Sequence, residues 1–161
     1  MLSQGEIYAL EYESSRVYSY PGEIAQYRAK ARDTPTMLSR TQLGIILVNS
    51  DSLTNVNEGV QLLTEVIHNS PMNEYYISCL MHLAQGYYTL KKYDLARQYI
   101  EQLYRIQPDS QQFKALHRAV VYRNNEQEEQ KRATNQQAVI GAVGIAAAIG
   151  IGMVAFMKRK K

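Results

Sequence analysis

Apolar residues recur at three- and four-residue steps through the middle of this chain and then merge, over residues 138–157, into an unbroken run. Steps of three and four mark helices that bury one face. Ile24, Tyr27 and Ala31 share such a face in a helix opened by Pro21 at its first position. Further helices are predicted near 40–50, 56–68, 72–89, 93–105 and 110–132. Capping residues set their starts: Ser39 with Gln42 and Asn55 with Glu58 have capping-box spacing, Ser70 precedes Pro71, and Asp109 precedes the last helix. Asp33-Thr34-Pro35 breaks the chain after the first. No strand pattern appears, so the fold class is all-α.

The apolar pattern repeats. Sliding the chain by 37 residues puts Leu43 on Leu80, Ile46 on Leu83, Leu47 on Ala84, Gly59 on Ala96, Leu63 on Ile100, Val66 on Leu103 and Pro71 on Pro108. In the second copy Leu80, Leu83, Ala84, Tyr87, Ala96, Ile100, Leu103 and Pro108 have the spacing of a tetratricopeptide helical hairpin. The first copy is degenerate, with Ser50 in place of the tyrosine and Gly59 in place of the alanine. A 37-residue step implies a few residues inserted between hairpins. Stacked repeats need their end faces covered, which predicts a six-helix bundle: two tetratricopeptide hairpins with capping helices, spanning 21–123. Ahead of it, residues 1–20 form an arm rich in tyrosine (Tyr8, Tyr12, Tyr18, Tyr20) with Ile7, Leu10 and Val17, either a frayed terminus or a detachable segment that docks on the bundle.

Residues 124–137 lack an apolar stripe and read as a solvated helical extension or spacer. The 20 uncharged residues 138–157 would form a helix about 30 Å long, the thickness of a bilayer's hydrocarbon core. They predict one C-terminal transmembrane helix, a tail anchor, with the preceding residues in the cytosol and Lys158, Arg159, Lys160 and Lys161 as a targeting tail beyond it. The modest hydrophobicity of this Ala- and Gly-rich run suits a mitochondrial or peroxisomal outer membrane. Gly144, Ala148 and Gly152, four apart, offer a face for packing two such helices, and hence a homo-oligomer; equally, they keep a weak anchor weak.

Composition removes other classes. Four of the 18 Lys and Arg lie in the last four residues, leaving 14 against all 15 Asp and Glu in residues 1–137, so no basic field for nucleic acid exists there. One cysteine, Cys79, excludes an internal disulfide. His68, His82 and His117 have no carboxylate or Cys at metal-ligand spacing, and Glu126, Glu128 and Glu129 read as a solvated charge run. No phosphate loop or nucleophile elbow occurs, so neither an enzyme nor a cofactor is expected.

The stretch Leu83-Ala84-Gln85-Gly86-Tyr87-Tyr88-Thr89-Leu90-Lys91-Lys92-Tyr93-Asp94-Leu95-Ala96, continuing through Tyr99 and Leu103 to Gln107-Pro108-Asp109, resembles the second repeat of the mitochondrial fission 1 protein family. Thr41-Gln42, the Gly/Ala-rich anchor and the basic end are similar too, so the resemblance covers roughly residues 22–161. It implies a tail-anchored adaptor that brings a dynamin-like GTPase, directly or through cytosolic adaptors, to the outer membranes of mitochondria and peroxisomes. A tail-anchored receptor docking chaperones or preproteins for import is the alternative.

In stacked hairpins the first helix of each lines the concave side. Residues not spent on packing within the hairpin are then Thr41, Gly44 and Val48 in the first repeat, and Ser78, Met81, Gln85 and Tyr88 in the second. They form the predicted partner-binding groove, suited to an amphipathic helix or extended peptide. Gly44 either opens space for a partner or lets helices pack closely. The arm could lie in the same groove.

Overall fold

The computed structural model describes the backbone of residues 1–158 and the side chains of residues 1–138. Its helices are α1 (Gln4–Ser14), α2 (Pro21–Asp33), α3 (Met37–Val48), α4 (Leu53–Asn69), α5 (Tyr76–Thr89), α6 (Tyr93–Ile106) and α7 (Gln111–Lys158). Two compact units result, Met1–Asn124 and Asn125–Lys161.

In the first unit α3 packs on α4 and α5 packs on α6, the two predicted hairpins, while α4 meets α5 and α2 covers α3. Periodicity accounts for these pairings. Val56, Gly59, Val60, Leu63 and Val66 lie on one face of α4, and Ala96, Ile100 and Leu103 on one face of α6. The second hairpin shares its core with α7 through Phe113, Leu116, Ala119 and Val120. α2 closes the other end with Ile24 against Leu43 and Leu47.

Where the first repeat looked degenerate, Ser50 builds the turn. Its hydroxyl, 1% exposed, accepts hydrogen bonds from the Ser52 amide at 3.1 Å and the Asn55 side chain at 3.0 Å. Gly59 permits close hairpin packing, since a Cβ there would stand 2.7 Å from the Gly44 carbonyl oxygen and 2.8 Å from the Val48 amide.

Several helix starts differ from the predicted ones. Thr36, not Ser39, caps α3; the two residues form a reciprocal capping box, because the Ser39 side chain reaches back to the Thr36 amide. Ser52 precedes α4 without a side-chain cap. Ser70 ends α4 instead of starting α5. Pro71 follows that end, Met72 takes the left-handed conformation (φ 57°), and Asn73 ties the turn by bonding the Ser70 carbonyl and the Tyr75 amide. The longer step between repeats is spent in this turn, so α5 begins only at Tyr76. Ser110, not Asp109, lies nearest to capping α7, its hydroxyl 3.4 Å from the Phe113 amide. The arm is no loose terminus: it adds a helix, α1, to the six expected.

In the second unit the polar stretch continues as helix, with residues 131–138 exposed and Lys131 bonded to Glu128 at 2.8 Å. Among the described residues no helix is long and apolar enough to cross a membrane. Apart from Ala138, the side chains of the apolar run lie outside the described residues, and with them the Gly144, Ala148 and Gly152 face and the tail of Lys158, Arg159, Lys160 and Lys161.

Candidate partner-binding groove

Met81, Gln85 and Tyr88 lie along one face of α5, at steps of four and three. That face already holds a helix. Ser3 caps α1 by accepting from the Glu6 amide at 3.2 Å, and the Ser14 and Ser15 hydroxyls bond the Glu11 and Tyr12 carbonyls at its end. Ala9, fully buried, joins Met81, Ala84 and Tyr88 of α5 and Phe113, Leu116, Ala119 and Val120 of α7 in one cluster. A Cβ at Gly5 would run into the Tyr122 ring, so α1 comes close to α7 there.

Tyrosines meet at this junction. The Tyr12 ring stands edge-on to Tyr88 at 5.3 Å, Tyr88 meets Tyr93 at 5.5 Å, and the Arg118 guanidinium covers Tyr8 at 4.8 Å. Glu13 closes it: one carboxylate oxygen accepts from the Tyr88 hydroxyl at 2.6 Å and from Arg123 Nη2 at 3.0 Å and Nε at 3.2 Å. Beyond α1 the chain meets the C-terminal end of α3, where the Ser19 amide donates to the Asn49 carbonyl at 2.8 Å.

The expected groove residues divide into two groups. Met81 and Tyr88, each 5% exposed, lie beneath α1. Gln85 is half-buried and donates to Asn49 Oδ1 at 2.7 Å. Ser78 is half-buried, and its carbonyl lies 2.8 Å from His82 Nδ1; a carbonyl can only accept, so that nitrogen carries the hydrogen. Thr41, Gly44 and Val48, expected to face the concave side, point into the protein instead. A Cβ on Gly44 would stand 2.7 Å from Leu63 of α4, which makes close helix packing the reason for this glycine. Val48 is fully buried with Val60, Leu63, Val66, Cys79 and Leu83, and Thr41 is buried beside Cys79. The physical reason is that α3 packs against α2, α4 and α5 at once, which leaves it little free face.

A cavity of about 390 Å³ remains beside the docked arm. Tyr12 and Arg16 of the arm, Asn49, Gln85 of α5, and Gln112 and Ala115 of α7 line it. Asn49, Arg16, Gln112, Ala115, Glu13 and Arg123 carry no apolar periodicity, so helix patterning passes over them; the arm's tyrosines were the one sequence sign of an interface.

Burial governs the titrating groups. The Tyr12 phenol is pushed up to about 12 by desolvation, so it remains a donor. Desolvation raises Tyr88 as well, helped by its bond to Glu13. His82 is lowered by burial, against the opposing effect of its bond to Ser78, and is neutral at pH 7. Burial raises the Cys79 thiol to about 11, which leaves it unreactive. Among the described residues no group of three or more His, Cys, Asp or Glu is placed to hold a metal ion.

Known proteins share this fold. The family model of the Fis1 C-terminal tetratricopeptide repeat matches residues 77–123. The mitochondrial fission 1 protein of Eremothecium gossypii is 32% identical over 127 residues, which cover 78% of this chain and 77% of that one. The chain belongs to the mitochondrial fission 1 protein family. Its relative in Candida glabrata is 29% identical over 137 residues, covering 84% of this chain and 82% of the relative. The fold of this family member matches the crystal structure of fission protein Fis1 from Saccharomyces cerevisiae with a TM-score of 0.67 at 22% identity, over 74% of this chain and 95% of that one. It also matches yeast Fis1 in complex with an Mdv1 fragment containing N-terminal extension and coiled-coil domains, with a TM-score of 0.61 at 24% identity, over 76% and 94% of the two chains.

Proposed function

We propose that the protein is a noncatalytic adaptor for mitochondrial fission, and for peroxisomal fission, that holds a dynamin-like GTPase or its cytosolic adaptors at the outer membrane. The observation that carries this reading is the seating of α1: a face that buries Ala9 among Met81, Ala84 and Tyr88 has the width and chemistry to receive a helix. A fission relative of the same fold has been crystallised with a fragment of a second protein. On this reading the partner enters by the remaining opening, beside the docked arm. Met81, Gln85 and Tyr88 form or support its floor, with Ser78 at the near end, while Thr41, Gly44 and Val48 hold the hairpin behind it.

The 138–157 run serves as a single span, with residues 1–137 in the cytosol and the four terminal cations at the far headgroups. Gly144, Ala148 and Gly152 then give a face for self-association within the membrane. Confinement to a surface raises the local concentration of a recruited GTPase and favours its assembly without chemistry by the adaptor.

Ala115→Trp tests the groove. Ala115 is an exposed position on the cavity wall, so a large ring there fills the opening while leaving the core intact. The substitution should abolish binding of a fragment of Mdv1 to the full-length chain in a pull-down and leave the melting temperature unchanged. Retained binding removes the groove assignment. Fluorescence imaging with and without residues 138–161 tests the anchor: the truncated chain should turn diffuse, and unchanged organelle labelling excludes the span.

A further inference from the structure

Among its described lining residues the cavity beside the arm has one cationic side chain, Arg16, with His82 neutral, and an unmet hydrogen-bonding demand. Among the described residues Arg16 Nε and Nη2 are buried without a hydrogen-bond partner, and so is the Tyr12 hydroxyl. All three belong to residues that line the cavity. Tyr12 and Arg16 are four apart, across the end of α1, and interact electrostatically.

Geometry narrows what would satisfy them. Nε and Nη2 form one edge of the planar guanidinium, two parallel N–H groups at the spacing of the two oxygens of a carboxylate. The Tyr18 ring lies under the face of the same guanidinium, 5.0 Å from it, and a ring on the face leaves the in-plane donors for another partner. The Tyr12 phenol, held protonated by burial, adds a third donor. No acidic side chain occurs among the cavity's described lining residues. Glu13, the nearest carboxylate in sequence, is turned to Tyr88 and Arg123. His82, Asn49, Gln85 and Gln112 complete a neutral polar wall. Arg16 is half-buried, but two of its guanidinium donors are enclosed without an acceptor, which is costly, and an entering anion removes that cost.

We infer that Arg16, with Tyr12, forms a receptor for a carboxylate carried by a bound polypeptide, so that the docked arm is part of the partner's binding surface. The inference deepens the groove reading, yet its test needs no fission partner. It follows that an arm pulled off the groove takes the receptor with it.

The experiment uses the ¹⁵N-labelled full-length chain in mild detergent and follows arginine Nε–H resonances during titration with two probes. N-acetyl-glutamate amide offers a side-chain carboxylate alone, and N-acetyl-alanine a terminal carboxylate alone. One Nε–H resonance, absent in Arg16→Lys, should move downfield and saturate with at least one probe, and the probe that saturates first names the source. Arg16→Lys keeps the charge without the two-donor edge and should weaken binding at least tenfold. Tyr12→Phe, which keeps the ring against Tyr88, should weaken it several-fold. Amide exchange of α1 in both variants shows that the arm is still docked, and any variant whose arm has opened is replaced by Arg16→Gln. Three results overturn the proposal: no saturable shift, equal affinity in the docked variant, or equally tight binding of inorganic phosphate. None of them depends on recruitment, which the Mdv1 pull-down reads independently.

Discussion

Replacing Glu13 by alanine should free the arm while leaving the bundle folded. In the native structure the Glu13 carboxylate accepts from the Tyr88 hydroxyl at 2.6 Å and from Arg123 at 3.0 and 3.2 Å. A hydrogen bond to a charged group is worth about 1.5–3 kcal/mol when the partner left behind is buried, as Tyr88 is. The ion pair adds less, because Glu13 is 37% and Arg123 21% exposed at the side chain, in the range of about 0.2–1 kcal/mol. Together roughly 2–4 kcal/mol of docking is lost, which raises the arm's opening constant by about 30–800-fold. Native-state hydrogen exchange reads that constant directly. Amides of residues 8–14 should exchange faster by this factor, whereas Leu80, Leu83 and Ala84, in the core of α5, should keep their wild-type rates. Unchanged rates in α1 would show that Glu13 does not latch the arm. Equal acceleration in α1 and α5 would show that the arm and the bundle open as one unit, which contradicts a separable arm.

Gly59→Ala should destabilise the first hairpin. The new Cβ meets backbone at 2.7 and 2.8 Å, which cannot give way as a side-chain end would, so the overpacking lies toward the upper end of about 1–3 kcal/mol and outweighs the gain of about 1 kcal/mol in helix propensity; urea denaturation showing equal or greater stability refutes the close approach of α3 and α4. Stability should also fall between pH 7.5 and 5.5. Burial lowers the folded pKa of His82 below its ordinary 6.5, so the unfolded chain binds more protons as pH drops through that value, and the contribution is fully present only above it. Half-buried His117, lowered in the same way, acts in the same direction. His82→Asn, which preserves a donor toward Ser78, should flatten the fall in urea midpoint, and an unchanged pH slope refutes burial of the neutral ring.

The hairpins were legible because burial in a helix is periodic. Leu80, Leu83, Ala84, Ala96, Ile100 and Leu103 recur at steps that one apolar face dictates, and each is fully buried. Helix starts are less legible, since cap choice depends on which polar side chain reaches an amide: Ser39 lies at N3, where it reaches back to Thr36. Ser50 breaks the repeat pattern for a structural reason: its hydroxyl holds the Ser52 and Asn55 groups of the turn. α1 escaped because Ile7, Tyr8, Ala9, Leu10 and Tyr12 run nearly consecutively and form no stripe, and among the residues of α1 Ala9 alone is fully buried.

The amino-acid order by itself determined a helical repeat, its two hairpins and an uncharged terminal run, because these follow from local spacing and from apolar content. It also carried the family resemblance. Tertiary packing decided the groove. Whether Gly44 and Val48 face a partner or a neighbouring helix depends on how many elements surround α3, and whether Met81 and Tyr88 are open depends on an arm more than 65 residues away in sequence. The contact between Glu13 and Arg123, and the enclosure of Arg16 beside α5 and α7, join residues that no periodicity relates. Such long-range juxtapositions are set by the way the helices stack, and a one-dimensional pattern of polar and apolar positions does not encode them.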